Sequence, residues 1–225
     1  MLLKLIKMDL LLRLYNNDRK NNSTLLVCAA YCCFLLLVRA KITNSIYLFF
    51  LIWNLFLAAI PYALILYLKN YLIPQRNRIW TVVLLCGWLL FLPNSFYIIT
   101  DLIHLEKSAE ATKWFDLIIV SSFASVGFIM GLLSLSEFEN IAAGRLSLTK
   151  LRILIIIICF LCGMGIYLGR VQRYNSWDII GNPIELLIDM ATIVTSAKIL
   201  AFAFNFGLFI YIFYQIRNYL FNTKF

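Results

Sequence analysis

The side chains able to do chemistry in this chain lie in two short stretches of an otherwise apolar sequence. The first runs Asn94-Ser95-Phe96-Tyr97-Ile98-Ile99-Thr100-Asp101-Leu102-Ile103-His104, the second Gly169-Arg170-Val171-Gln172-Arg173-Tyr174-Asn175-Ser176-Trp177-Asp178. Asp101 and His104 are three residues apart and can share one face of a helix, where a carboxylate can hydrogen-bond an imidazole and fix its tautomer. His104 is the only histidine in the sequence, so an imidazole general acid or base would have to be this residue, oriented by Asp101. Arg170 and Arg173 stay charged and require a carboxylate, a phosphate or water. Asp101, Asp178 and Glu185 are candidate partners within the chain, and a lipid or lipid-linked phosphate is the candidate outside it.

Local geometry refines both stretches. Pro93 frees the carbonyl four residues earlier and permits a kink. If an α-helix resumes beyond it, Asn94, Tyr97, Asp101 and His104 fall within an arc of about 80°, with Thr100 at its border. Helical continuation of the second stretch puts Tyr167, Arg170, Tyr174 and Trp177 on one side. Asn182-Pro183-Ile184-Glu185 then has the pattern of a helix start: Asn as N-cap, Pro at the first position and Glu closing a capping box. The plainest use of these residues is architectural, with Arg and Asp joining two helix ends and Tyr and Trp in an interfacial aromatic belt. A binding or transport site comes next and catalysis last, because paired charges serve structure as well as function.

The elements that must position these groups are membrane spans. With 63% hydrophobic and 14% charged residues among 225, the chain lies far from the soluble norm of about 45–50% apolar and about 25% charged. The expected fold class is all-α, an integral membrane bundle of six transmembrane helices plus an N-terminal interfacial helix. Residues 1–23 mix Leu and Ile with Lys4, Lys7, Asp9 and Arg13, which suits an amphipathic interfacial tail and leaves no uninterrupted signal-peptide core. Spans are expected near 24–40, 45–68, 79–99, 114–136, 151–168 and 198–217 as one domain over 24–217, with 218–225 a second tail. The Lys and Arg are scattered singly at span ends, where they meet lipid headgroups, so the net charge of +9 does not point to nucleic acid.

Orientation follows from the same residues. With both termini in the cytoplasm, thirteen of the 20 Lys and Arg fall on the cytoplasmic side and both polar stretches fall outside. The first apolar run, 24–38, is short. Were it only interfacial, the sense would reverse, although the two stretches would still share a side.

The remaining motifs are structural in this reading. Cys28, Cys32, Cys33, Cys86, Cys159 and Cys162 lie in apolar runs, where thiols act as small hydrophobes. No HExxH, GxSxG or phosphate-cradling glycine loop occurs, and one histidine with Asp101 and Glu106 is too sparse a set for zinc. No metal or other cofactor is expected. Gly127 and Gly131 form a GxxxG that Ser121 and Ser125 extend, and Gly165 and Gly169 repeat the spacing. Such stripes allow close helix approach; packing within the chain is favoured over a homo-oligomer. Asn54 and Asn205 lie in apolar runs and imply interhelical hydrogen bonds. A faint likeness of Trp53–Tyr62 to Trp88–Tyr97 would favour transport if it marked an inverted repeat.

One set of motifs is similar to a known family. Trp53-Asn54-Leu55 with Leu57-Ala58 and Pro61, Trp88-Leu89 with Phe91-Leu92-Pro93-Asn94, Tyr97, Thr100-Asp101-Leu102-Ile103-His104-Leu105, Trp114-Phe115-Asp116, Gly165-Ile166-Tyr167-Leu168-Gly169-Arg170 and Asn175-Ser176-Trp177-Asp178 resemble domain of unknown function 1361, bacterial polytopic membrane proteins. The resemblance covers roughly 45–215 and implies a bacterial cytoplasmic membrane; it implies no activity. The expectation is a pocket in which Arg170 and Arg173 hold an anionic headgroup or lipid-linked substrate while Asn94, Tyr97, Asp101, His104, Asn175, Trp177 and Asp178 orient it. A membrane-protein partner docking on the same loops, or small-solute transport, are the competing expectations.

Overall fold

The computed structural model describes residues 18–73, 77–108, 110–172 and 196–221, and these form six long helices with no strand among them. Helix α1 spans Arg19–Thr43. A short 3-10 turn, Tyr47–Phe49, leads into α2, Phe50–Tyr67, which ends in a π-helical turn, Leu68–Leu72. Helix α3, Arg78–Tyr97, tightens into a 3-10 segment, Ile98–Lys107, and α4 spans Lys113–Ala143. Helix α5, Leu148–Tyr167, ends in a second π turn, Leu168–Gln172, and α6 spans Ala197–Phe221. All six are long and apolar enough to cross a membrane. The chain is an all-α membrane bundle.

Helix boundaries follow local chemistry. α1 reaches back to Arg19, into the polar stretch assigned above to the tail, and there Ser23 and Thr24 satisfy their hydroxyls within the helix by donating to the Lys20 carbonyl at 3.1 and 2.9 Å. Its far end is closed by Asn44 at φ 49°, a left-handed conformation that asparagine tolerates better than most residues. Asn77 caps α3 by accepting the Trp80 backbone N–H at 3.3 Å.

The bundle is arranged around α4, the most buried helix, against which every other helix packs. α2 pairs with α3, α3 with α5, and α5 most extensively with α6. Small residues set these distances. A Cβ on Gly127 or Gly131 would stand 2.7 Å from the Ile98 methyl or the Phe96 ring, so the GxxxG stripe of α4 is filled by α3 within the same chain. A Cβ on Gly165 would stand 2.6 Å from Cγ of Pro93. The proline inside α3 therefore nests against a bare patch of α5, and this holds the end of α5 close to the end of α3. Gly163 and Gly207 make the same kind of close contact between α5 and α6.

Ser95 donates to the Ala58 carbonyl at 2.7 Å and Trp88 Nε1 to Ser134 Oγ at 2.8 Å, so polar atoms inside the bundle are paired across helices. Asn205 departs from the interhelical expectation. Its amide is exposed and donates to the Ala201 carbonyl of its own helix at 2.7 Å, the back-bond that relieves a polar side chain without a neighbouring helix in reach.

Candidate functional site

Alternation of the helices places the ends of α1, α3 and α5 with the starts of α2, α4 and α6, and the Asp101 rim so formed carries the candidate site. Asp101 is buried, its side chain 1% exposed. Two neighbouring elements reach it: Asn54 Nδ2 of α2 donates to Oδ2 at 2.7 Å, and Arg170 Nη1 of the π turn after α5 donates to Oδ1 at 3.3 Å. His104, one 3-10 turn along on Asp101's own element, holds its Nε2 4.0 Å from Oδ1.

The 3-10 geometry corrects the expected α-helical arc. At three residues per turn, Asp101 and His104 lie directly above one another, but the 4.0 Å separation is too long for the expected hydrogen bond. The imidazole instead has Nδ1 3.2 Å from the Tyr47 hydroxyl and its ring 4.8 Å from that of Phe50. Tyr47 orients this histidine, and a tyrosine in the 3-10 turn before α2 carries no signal in sequence that would have assigned it.

Arg170 ties the rim together. Besides Asp101, Nη1 donates to the Tyr97 hydroxyl oxygen at 3.1 Å and Nη2 to the Thr100 carbonyl at 2.6 Å, with Cζ 5.4 Å from the centre of the Tyr97 ring. The Thr100 carbonyl, inside the 3-10 segment, thus serves as an acceptor through its second lone pair. Arg170 sits in the π turn of α5, which interrupts the regular register and aims the side chain across at α3. Tyr97, Thr100, Asp101, His104 and Arg170 therefore come together with Asn54 and Tyr47. Asn94 lies earlier, on the regular part of α3, and is partly buried. Arg173, Asn175, Trp177 and Asp178, with the Asn182–Glu185 helix start, lie outside the described residues.

A second ion pair on the same rim was not expected. Arg39 Nε donates to Asp116 Oδ1 at 2.8 Å and Nη2 to Oδ2 at 3.1 Å, with side-chain exposures of 6% and 0%. Arg39 Nη1 also donates to the Ser45 carbonyl at 3.3 Å. This forked pair bolts α1 to α4. Arg39 reads in sequence as an ordinary flanking cation, and only its placement opposite Asp116 shows otherwise.

The opposite rim holds its own network. Lys69, in the π turn of α2, lies 2.6 Å from Glu137 and 4.0 Å from Asp18, while Glu139 accepts from Asn218 at 3.1 Å and from the Tyr214 hydroxyl. Arg217 donates to Ser136. Among the described residues no three His, Cys, Asp or Glu side chains gather as a metal site would require.

The six cysteines are free thiols, and Cys159 and Cys162 are buried between helices. No curated protein and no solved structure matches the chain. A family model described as "Protein of unknown function (DUF1361)" matches residues 53–213, which takes in Asn54, Tyr97, Asp101, His104, Asp116 and Arg170 and leaves out Arg39 and Tyr47. Since this match covers most of the length, including Asn54, Asp101, His104 and Arg170, the chain belongs to the DUF1361 family of membrane proteins.

Proposed function

We propose that this is a multi-pass protein of the bacterial cytoplasmic membrane, termini inside, whose Asp101 rim faces outward and binds an anionic lipid headgroup or lipid-linked substrate. Orientation rests on the excess of Lys and Arg at the opposite rim and in the tails. The observation that carries the binding reading is the accessibility of the cluster among the described residues. Asp101 is buried, yet the two groups on its water side, Arg170 and His104, keep side-chain exposures of 19% and 27%. Arg170 spends Nη1 and Nη2 on three acceptors, and Nε–H makes no hydrogen bond among the described residues. Because Tyr97 accepts from Arg170, its own hydroxyl proton is available to donate. These donors, with His104 beside them, suit phosphate oxygens, and Arg173 is close enough in sequence to add a second cation.

Mass spectrometry of lipids and metabolites on protein purified in native membrane discs tests this. The wild-type chain should carry a phosphate-bearing species that the Arg170→Ala, Arg173→Ala variant loses. His104→Gln, which leaves the Arg170–Asp101 bond in place, should lower its occupancy without altering the thermal midpoint. An identical bound set in all three proteins overturns the reading. A second reading, docking of a membrane-protein partner, is favoured by the exposure of Trp114 at 79% and Ile103 at 57% beside the rim. In that case these substitutions leave the bound small molecules unchanged, and Trp114→Ala releases a protein that otherwise co-purifies.

A further inference from the structure

At the other end of the molecule, α1 and α6 stand apart over α4 and leave an apolar cleft of about 520 Å³. Leu25 of α1, Leu132 and Leu133 of α4 and Phe213 and Ile216 of α6 form its walls and floor. Its mouth is different in kind: Lys20, Asn21 and Thr24 on one side, Arg217 on the other. The acidic groups of this rim are engaged elsewhere, Asp18 and Glu137 around Lys69 and Glu139 with Tyr214 and Asn218. Among the described residues neither Lys20 nor Arg217 has a carboxylate within ion-pair distance.

We propose that this cleft is a specific site for one anionic phospholipid, its phosphate between Lys20 and Arg217 and one acyl chain along Leu25, Leu133 and Phe213. Two cations at the mouth of an apolar slot, at the depth where helices meet the headgroup layer, match a lipid in both charge and shape. The 17 residues before Asp18 are the rival occupant, but they bring Lys4, Lys7 and Arg13 against a single acid, Asp9, to a mouth that is already positive. The site lies at the far rim from Arg170, so it neither requires nor supports the binding reading above.

The test uses the full chain in discs of phosphatidylcholine with a minor fraction of phosphatidylglycerol, each lipid supplied in turn with a photoactivatable acyl chain, followed by peptide mapping. Adducts of the anionic lipid are expected to concentrate at 20–25, 129–133 and 213–220. Juxtamembrane cations each favour anionic lipid by on the order of fivefold, so Lys20→Gln with Arg217→Gln should erase most of the anionic preference in those adducts. Lys20→Gln alone, at an exposed position, should remove about half of it on a logarithmic scale and guards against misfolding of the double variant. Leu133→Trp should fill the slot and suppress adducts of both lipids. Equal labelling by the two lipids, uniform labelling around the bundle, or crosslinks from the cleft to residues 1–17 would each overturn the proposal.

Discussion

Two ion pairs share one rim of this bundle and differ in geometry and in the exposure of the arginine. Arg39 and Asp116 meet in a forked geometry at 2.8 and 3.1 Å with side-chain exposures of 6% and 0%, and the guanidinium's third direction is taken by the Ser45 carbonyl. Arg170 and Asp101 share a single contact of 3.3 Å, and Arg170 and His104 beside it remain accessible. The first is forked and closed to solvent, which is what a fastener between α1 and α4 requires. The second is anchored from below by Asn54 and left open toward the rim. Burial of the carboxylate thus does not separate the two pairs, at 0% and 1% exposure; the accessibility of the arginine, 6% against 19%, does.

The largest effect expected from breaking this contrast is at the closed pair. Asp116→Ala leaves a buried guanidinium without its counter-ion and should cost about 3–5 kcal/mol, read as a large drop in thermal midpoint in detergent. A midpoint near wild type would show that Arg39 is solvated.

Packing that supports only the open cluster should come next. Gly165→Ala drives a methyl into Pro93 and pushes α5 from α3, an overpacking cost of about 1–3 kcal/mol. It should also reduce the bound phosphate species while α1 stays fastened to α4. Loss of stability with full occupancy would detach the Pro93–Gly165 contact from the site.

Asp101→Asn is expected to be milder than Asp116→Ala, about 1–2 kcal/mol, because the amide oxygen still accepts a bond and Arg170 can turn to water. Equal losses at the two positions would erase the distinction between them.

The smallest effect concerns a third carboxylate. Asp18, just before α1, has Oδ2 without a hydrogen-bond partner and 4.0 Å from Lys69 Nζ, and burial raises its pKa above the ordinary 3.8 despite that lysine. A folded-state pKa above the unfolded one means that the folded chain binds the proton more tightly. Its stabilising contribution is therefore full below pH 3.8 and fades as pH rises through the raised value. Asp18→Asn should accordingly be slightly stabilising at pH 7, with the advantage vanishing in acid. A destabilised Asn variant at neutral pH would make the Lys69 pair the dominant influence.

Much of this architecture is legible in sequence because uninterrupted apolar runs of span length permit few other outcomes. The six spans, the GxxxG stripe of α4 and the candidate partnership of Asp101 with Arg170 are readable at that level. What periodicity hides is equally specific. An i, i+3 spacing fits α and 3-10 helices alike, so it could not foretell that Asp101 and His104 would stack at 4.0 Å without bonding. Nor could it pair Arg39 with Asp116, 77 residues apart, or bring Tyr47 to His104, since such contacts depend on which helices become neighbours. Asn54 announced an interhelical bond by being an amide in an apolar run, and α3 supplied the acceptor. Asn205 gave the same signal and bonded its own helix, because its side faces away from the bundle.

The proposal that one pair fastens and the other binds is tested most directly by replacing each pair with apolar residues of similar size and measuring bound species by mass spectrometry in the same native discs. Arg39→Met with Asp116→Leu should keep both the fold and the bound phosphate species, since a buried pair is often exchanged for packing without loss. Arg170→Met with Asp101→Leu should keep the fold and lose that species. A full complement of bound molecules on the second variant would contradict the account.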